Sequence, residues 1–328
     1  MKLENMEEGL AQMTQNNNPK LEFTPPYPLK TAVLFLVFNR LDTTKQVFEA
    51  IRQAKPPRLY VAADGARQSR ENEEEKVKAV RDYIISNINW ECEVKTRFRE
   101  QNLGCKYSPS EAIGWFFQNE KMGIILEDDC LPSQSFFWFC EELLEKYKDD
   151  MKVWHISGSN FQSNIKRGND DYYFSKYNHT WGWASWANRW DKYDVELDTI
   201  KDVNFLKKTF ENEKTVKYWT KIFHTTKAKK VDISWWDYQW AFTVWFNNGL
   251  AIRPSVNLIS NIGFGTNATH TFSESEHANI SRSDIVLTNY PAKIIQNKEA
   301  DNLTFKTIFA PKPFFVRVIK KIKRIIAN

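Results

Sequence analysis

Four short strand-forming segments alternate with helix-forming segments over residues 31–147, and this alternation restricts the possible folds more than any other feature. Residues 31–38 are almost continuously apolar, as expected for a strand that is buried on both faces of a sheet. The pattern of apolar and polar residues predicts further strands at residues 58–63, 92–98 and 123–126, and helices starting near Asp42 and at residues 69–86, 109–119 and 135–147. The pattern predicts an α/β fold in which a parallel sheet lies between two helical layers.

Composition and charge limit the size, the ligands and the redox setting that the chain is expected to have. The chain of 328 residues suits one large domain or two packed halves, and its net charge of +5 does not indicate nucleic-acid binding. The 13 tryptophans are typical of cores and of sites that stack on sugar rings. The four cysteines, Cys92, Cys105, Cys130 and Cys140, form no Cys-x-x-Cys pair, so we expect a reduced, cytoplasmic setting.

The two ends of the chain differ from the rest. Residues 1–28 are polar and finish in a proline-rich stretch, which predicts a flexible leader, and no apolar run is long enough to cross a bilayer. Residues 314–326 place isoleucine, valine and phenylalanine on one helical face and lysine and arginine on much of the rest. A basic amphipathic helix of this kind predicts contact with an anionic membrane surface, while docking on the core is the alternative.

An acidic triplet, Glu127-Asp128-Asp129, directly follows the apolar residues 123–126. In open α/β sheets, the carboxyl edge of the strands is where ligands bind. Clustered carboxylates suit Mg²⁺ or Mn²⁺ that bridges to substrate phosphates. The alternative is a helix N-terminus, where the helix dipole favours acidic side chains.

Two other predicted strands also finish in polar residues. Asn39 and Arg40 follow the first strand, and Asp64 follows the second. Together with the triplet they supply a cation, a carboxylate and a metal-binding pair, which is what a nucleotide-diphosphate site requires. The chain has neither a Gly-x-Gly-x-x-Gly motif nor a Walker loop, so a dinucleotide or P-loop site is disfavoured.

The ordered set of motifs resembles the metal-dependent glycosyltransferases of the GT-A fold. It is close to bacterial sugar-nucleotide transferases and similar in outline to eukaryotic N-acetylglucosaminyltransferase I. The matching segments are residues 38–40, 63–65, 102–104, 127–129, 181–186 and 257–265. The resemblance covers roughly residues 30–272 and implies a mixed, mostly parallel central sheet flanked by helices.

The resemblance implies roles for individual residues at the sheet edge. Asn39, Arg40 and Asp64 would hold the nucleotide, and Asp128 would contact the nucleotide sugar. Asp129 would bind Mn²⁺ or Mg²⁺. Lys106, just after the Asn-Leu-Gly turn, is predicted to contact the diphosphate, although its match to the family is less specific. The triplet is Glu-Asp-Asp, whereas Asp-x-Asp is commoner in the fold class. The Glu-Asp-Asp form also occurs in the resembled enzymes.

The second half of the chain supplies the predicted catalytic base. Asp237 lies within the aromatic segment 234–240, where inverting enzymes of the resembled class place the Asp that takes the acceptor proton. Trp235 and Trp236 are predicted to form a wall for a sugar. The alternative is an aspartate at a helix N-terminus with tryptophans packed in the core. His270 is predicted either as a further metal ligand or as an ordinary loop histidine.

Two further groups of residues in this half are expected to be structural. Trp183, Trp186 and Trp190 would share one face of a helix, and such a cluster is more typical of a core than of a sugar platform. His155 follows the apolar start of a predicted strand and is expected to be a satisfied core residue.

The sequence therefore predicts four regions: a leader at 1–28, a nucleotide-sugar-binding half at 29–150, a Trp-rich acceptor-binding half at 151–272, and a tail at 273–328 with its basic amphipathic helix. We expect an inverting hexosyl- or N-acetylhexosaminyltransferase. It would use a UDP-sugar and a glycan or glycolipid acceptor at the inner face of the plasma membrane. The alternatives are a nucleotidyltransferase and a non-catalytic protein that binds nucleotide sugars or glycans.

Overall fold

A computed structural model of the chain describes residues 23–163, 165–228, 235–264 and 279–310. In this part of the chain, eight strands form one mixed sheet with helices on both faces. The predicted α/β class with a large, mostly parallel central sheet is thereby confirmed.

Strand and helix alternate through the first half, as the sequence pattern predicts. Its elements are β1 (Val33–Val37), α1 (Leu41–Ala54), β2 (Arg58–Ala63), α2 (Glu73–Asn87), β3 (Glu93–Phe98), α3 (Gly104–Asn119), β4 (Met122–Glu127), β5 (Cys130–Pro132) and α4 (Ser135–Tyr147). The strand at β2 and the helix at α4 have the predicted boundaries. Helix α3 begins at Gly104, before the predicted start at Pro109, and the proline lies inside the helix.

The second half has shorter and less regular elements. They are β6 (Val153–Ser157), β7 (Tyr172–Ser175), β8 (Trp183–Trp186), α5 (Ala187–Trp190), α6 (Asn204–Thr209), α7 (Glu213–Lys227), α8 (Asp237–Phe246), β9 (Leu250–Pro254), β10 (Ile259–Asn261), α9 (Lys298–Thr304) and a π-helical turn (Phe305–Phe309). The first half and the second half contribute four strands each to the same sheet.

The strand order is β3-β2-β1-β4-β8-β6-β9-β7. Strands β1 to β4 are mutually parallel, and β8 runs antiparallel to both β4 and β6. The small pair β5 and β10 is separate from the main sheet. Because β1, β2 and β4 are parallel neighbours, their carboxyl ends meet at one edge of the sheet, as predicted.

Side chains of the central strands alternate between two apolar cores. Val33 and Phe35 of β1 pack with α1, α2 and α4, whereas Leu34 and Leu36 pack with α3, α7 and α8. This two-residue period is the geometry of a strand, and burial on both faces explains why the segment lacks polar residues. The two cores fix the sheet from both sides and so fix the position of the strand ends.

The tryptophan cluster contradicts one prediction. Trp183 and Trp186 are the two ends of strand β8, not residues of one helix, and they point into opposite cores. Side chains three positions apart share a face on a helix but not on a strand. The expectation that Trp183, Trp186 and Trp190 belong to the core is confirmed, since all three are buried.

In the described ranges, no helix has the length and apolar character needed to cross a membrane. Residues 1–22 of the predicted leader and the predicted basic helix at 314–326 lie outside the described residues. The chain that the structure does describe near the C-terminus is anchored to the sheet. Asp301 of α9 accepts hydrogen bonds from the Ser175 hydroxyl and from the backbone N–H of Lys176 at 2.9 Å.

Candidate functional site

Arg40 joins the end of β1 to the acidic triplet after β4. Its Nη2 donates to Oδ1 of Asp128 and, at 2.9 Å, to Oδ2 of Asp129. The backbone N–H of Phe38 donates to the other oxygen of Asp128 at 3.2 Å. Burial acts to lower the pKa of Arg40, but the two carboxylates outweigh burial and raise it. The guanidinium is therefore firmly charged, and it orients the predicted sugar-contacting and metal-binding carboxylates.

The negative charge at this edge exceeds what one guanidinium balances. Burial raises the pKa of Glu127, and the carboxylates of Asp129 and Asp128 raise it further. The charge of Asp237 also raises the pKa of Glu127, so Asp237 lies within electrostatic range of the triplet. Burial likewise raises the pKa of Asp128, although its contact with Arg40 opposes the change. Such a cluster favours binding of a cation.

Asp64, at the end of β2, holds the turn that begins α3. Its Oδ1 accepts a hydrogen bond from the backbone N–H of Leu103 at 3.0 Å, and its Oδ2 accepts one from that of Gly104 at 2.9 Å. The side-chain amide of Asn102 donates to Asp64 at 3.1 Å and to the carbonyl of Gly65 at 2.7 Å. In the described structure, Asp64 thus positions a turn at the sheet edge, and its contact with a nucleotide stays a prediction.

Asn39 and Lys106 each contact a carboxylate of the protein. The amide of Asn39 donates to Oε1 of Glu73 at 2.9 Å, and Glu73 also forms an ion pair with Arg67. Lys106 forms an ion pair with Glu196 at 2.8 Å. A diphosphate would have to compete with Glu196 for this ammonium group, so the predicted diphosphate contact requires a rearrangement.

The strand β10 brings a glycine against the Arg40–Asp129 pair. The backbone N–H of Ile262 donates to the carbonyl of Asp129 at 2.8 Å, which aligns the following residue with the site. A Cβ on Gly263 would lie 2.2 Å from Oδ2 of Asp129 and 2.7 Å from Nη1 of Arg40. Only a glycine allows the backbone to approach these side chains so closely.

Asp237 is the first residue of α8 and is half-buried. Burial raises the pKa of its carboxyl group, while backbone hydrogen bonds at the start of the helix oppose the change. Its charge in turn raises the pKa of Tyr238, after the larger effect of burial. A carboxylate with a raised pKa is a better base near neutral pH than an ordinary aspartate.

A cavity of about 290 Å³ opens beside Asp237. Asn178, His179 and Thr180 line it together with an aromatic set formed by Phe161, Tyr177, Trp181, Trp219, Trp245 and Phe309. Its walls come from the segments that follow β6 and β10, from the segment before β8, from α7 and α8, and from the π-helical turn. Asp237 therefore lies within electrostatic range of Glu127 at the acidic edge and lines an aromatic cavity.

A larger groove of about 810 Å³ lies at the opposite edge of the sheet. Its lining includes Arg58 at the start of β2 and Met122 at the start of β4, together with Glu120 and Glu141. It contains neither the acidic triplet nor Asp237, so it has no part in the chemistry considered below.

The two tryptophans predicted to form a sugar wall have different environments. Trp236 is buried in the core and stacks on Trp183, with ring centroids 5.9 Å apart, so the wall prediction is wrong for this residue. Trp235 is half-buried, and its indole N–H donates to the hydroxyl of Thr226 at 3.2 Å. Trp181, which lines the cavity and is half-buried, is better placed to contact a ligand.

The acidic edge suits a divalent cation that is shared with a substrate. Among the described residues, no group of three or more His, Cys, Asp or Glu side chains could hold a metal by itself. Mg²⁺ is often held by one or two carboxylates and the phosphates of a substrate, a mode for which Asp129 and the excess negative charge are suited. His270, the predicted further ligand, lies outside the described residues.

Three residues of this region were not predicted as site residues from the sequence. Gly263 and Trp181 fall in segments that carried the family resemblance, which is the signal that could have identified them. Asn178 carries no such signal. Both polar atoms of its side-chain amide are buried and lack a hydrogen-bond partner among the described residues.

Comparisons with known proteins are weak throughout. No family model and no curated protein sequence matches the chain. The similar solved structures include HddC from Yersinia pseudotuberculosis (TM-score 0.33, 11% identity, 52% of this chain and 85% of that one). They also include mouse xyloside xylosyltransferase 1 (0.32, 10%, 66% and 81%) and the glycosyltransferase GlyE of Streptococcus pneumoniae (0.29, 12%, 61% and 44%). Similarity at this level supports no conclusion about function, which must rest on the site itself.

Proposed function

We propose that the protein is a metal-dependent, inverting glycosyltransferase of the GT-A type that moves a sugar from a nucleotide-diphosphate sugar to a hydroxyl group. The observation that carries the proposal is the position of Asp237. This carboxylate has a raised pKa, lies within electrostatic range of the acidic edge at Glu127, and lines a separate aromatic cavity. A donor site and an acceptor site that meet at a base are what glycosyl transfer requires.

The donor would bind at the carboxyl edge of β1, β2 and β4. Arg40 contacts the carboxylates through Nη2 alone, and a guanidinium has five N–H donors, so it can also bind a phosphate oxygen. Asp128 would accept a hydrogen bond from the sugar. Asp129, with His270 as a further proposed ligand, would hold Mn²⁺ or Mg²⁺, which supplies Lewis-acid stabilisation of the leaving diphosphate when bound.

Asp237 would act as the general base. Its carboxylate takes the proton of an acceptor hydroxyl, and the oxygen forms a bond to the anomeric carbon. The bond between that carbon and the diphosphate oxygen breaks, and the nucleoside diphosphate leaves with the electron pair. Attack from the face opposite the leaving group inverts the anomeric configuration. A positioned base typically contributes about 10²–10⁴ in rate.

The remaining parts of the proposal concern substrate and place. We propose a UDP-sugar with a hexosyl or N-acetylhexosaminyl group, and a glycan or glycolipid as acceptor. The chain would work in the cytoplasm, held at the inner face of the plasma membrane by residues 314–326. The sequence of that segment, five lysines or arginines beside an apolar face, supports this placement.

The test is to incubate the protein with nucleotide sugars and Mn²⁺ or Mg²⁺ and to identify the nucleotide that is released. Glycosyl transfer, or slow hydrolysis of the donor, releases a nucleoside diphosphate that Asp237→Asn no longer produces. Release of pyrophosphate from a nucleoside triphosphate and a sugar phosphate would identify a nucleotidyltransferase instead. Binding of nucleotide sugars without turnover in the wild type would leave only a binding protein.

A further inference from the structure

The cavity beside Asp237 has a lining that restricts what it can bind. Apart from Asp237 itself, its lining residues are aromatic, aliphatic or neutral and polar, with His179 as the one titratable base among those described. It has no lysine or arginine within the described residues. A ligand that carries a phosphate or carboxylate here would face the charge of Asp237 without a compensating cation, so the lining selects an uncharged group.

Asn178 lines this cavity and has a side-chain amide that lacks a hydrogen-bond partner among the described residues. Its amide nitrogen and its amide oxygen are both buried, and neither has a hydrogen-bond partner among the described residues. A buried polar group without a partner is costly, by roughly 1–3 kcal/mol. If the side chain rotates toward the cavity, a ligand with neighbouring hydroxyl groups would satisfy both atoms, because a hydroxyl can donate to the amide oxygen and accept from the amide nitrogen.

Trp181 gives the cavity a flat apolar surface. Its ring packs edge-on against Phe161, with centroids 5.4 Å apart, and against Phe264 at 5.7 Å. These two contacts hold the indole in place while leaving it half-buried. A large, rigid and partly exposed aromatic ring is suited to contact the C–H face of a sugar ring.

The size of the cavity limits the ligand. A volume of about 290 Å³ is at the lower end of the range of roughly 300–1,000 Å³ that is usual for small-molecule sites. It therefore suits a single ring better than an extended oligosaccharide.

We propose that this cavity is the acceptor subsite and that it takes one uncharged pyranose ring. The ring lies against Trp181, its hydroxyl groups bond to the Asn178 amide, and the reacting hydroxyl faces Asp237. The inference rests on the proposed function, which it refines: the acceptor sugar carries neither phosphate nor carboxylate on the ring that is modified.

Saturation-transfer NMR on the full chain tests the proposal with defined probes. The uncharged probes are the methyl β-glycosides of glucose, galactose and N-acetylglucosamine, and the charged probes are methyl β-glucuronide and glucose 6-phosphate. At least one uncharged glycoside should bind, and the charged probes should bind at least tenfold more weakly. Asn178→Ala and Trp181→Ala should each weaken the uncharged ligand by tenfold or more.

Two further variants separate specific effects from loss of structure. Trp181→Phe keeps an aromatic face and should retain most of the affinity. Asn87→Ala, at the exposed end of α2, should leave it unchanged. Thermal unfolding of each variant establishes that it is folded.

Binding of UDP-sugars with Mn²⁺, measured on the same samples, distinguishes this inference from the proposed function. If a donor binds but no uncharged glycoside does, the acceptor inference is overturned and the function stands. Equal or tighter binding of the charged probes, or unchanged affinity in both cavity variants, would also overturn it. If the glycosides bind and no donor does, the proposed transferase activity is contradicted and the cavity is a sugar-binding site only.

Discussion

Gly263 and Asp129 are so close that a Cβ on residue 263 would lie 2.2 Å from the carboxylate oxygen Oδ2. That separation is far below van der Waals contact, so any side chain at 263 must displace the backbone or the carboxylate. The loop after β10 and the proposed metal ligand therefore cannot move independently.

Gly263→Ala should disturb the donor site more than the rest of the fold. Relieving the clash would move Asp129 or Arg40, and overpacking of this kind costs about 1–3 kcal/mol. We expect kcat/KM to fall at least tenfold, measured as nucleoside diphosphate release. Gly114→Ala is the matched control, since a Cβ there meets its nearest neighbour at an ordinary 3.7 Å. Equal activity in both variants would show that the close approach has no functional effect.

Removing Arg40 should expose the repulsion between the two carboxylates that it joins. Arg40→Met leaves Asp128 and Asp129 without their cation, and breaking a buried ion pair from one side costs about 3–5 kcal/mol. We expect urea unfolding at pH 7 to show a loss of this size. The loss should be smaller at pH 4.5, where protonation relieves the repulsion.

A double variant supplies the control for Arg40. In Arg40→Met with Asp128→Asn, one of the two carboxylates is neutral, so part of the lost stability should return. Destabilisation that is independent of pH and additive in the double variant would contradict an electrostatic origin.

The raised pKa of Asp237 predicts a displaced pH profile. Only the charged carboxylate can accept a proton, so kcat/KM should fall as the pH drops through the pKa of this group. Burial raises that pKa above the usual 3.8, and the acid limb should therefore lie at higher pH than for an ordinary aspartate. Asp237→Asn should lower kcat by about 10²–10⁴ and remove the limb from the residual activity, with little change in donor affinity. An unchanged limb in Asp237→Asn would assign it to another group.

His155 should make stability depend on pH. The indole N–H of Trp240 donates to its Nδ1 at 3.2 Å, so Nε2 carries the proton and donates to the carbonyl of His179 at 2.9 Å. Burial lowers the pKa of His155 to about 3, so the folded protein keeps the ring neutral. The unfolded chain takes up a proton below its pKa of about 6.5, and stability is lost as the pH falls below that value.

Between pH 6.5 and pH 5 the loss of stability that is due to His155 should be about 1.6 kcal/mol, because the slope rises from about half of 1.4 kcal/mol per pH unit toward that full value. Urea unfolding at several pH values measures it. His155→Gln cannot titrate and should lose this part of the slope, while His224→Gln, at an exposed position of α7, should retain it. The same slope in all three proteins would show that His155 is not the group responsible.

The sheet and its acidic edge could be predicted because their signal is local. Strands buried on both faces appear as apolar runs, and the polar residues that end them, such as Arg40 and Asp129, meet wherever such strands are parallel neighbours. The spacing of Trp183 and Trp186 is ambiguous in this respect, since a separation of three residues fits a helical face and equally fits the two sides of a short strand.

The cavity beside Asp237 was not predictable because its walls come from distant parts of the chain. Asn178 and Asp237 are far apart in sequence and meet only through the packing of β8, α7 and α8. The ion pair between Lys106 and Glu196 depends in the same way on the packing of α3 against a loop that is distant in sequence. Periodicity and motifs describe single segments, so contacts between segments of this kind have no signature in one sequence.

The basic residues near the C-terminus should attach the protein to anionic lipid. Arg317, Lys320, Lys321, Lys323 and Arg324 could contribute on the order of 1 kcal/mol each at a negatively charged surface. Replacing all five by glutamine should abolish sedimentation with vesicles that contain phosphatidylserine, and raised salt should release the wild type because salt screens the attraction. Vesicles of phosphatidylcholine alone are the control and should bind neither protein. If the glutamine variant still sediments with anionic vesicles, or melts well below the wild type, the segment docks on the protein core instead of the membrane.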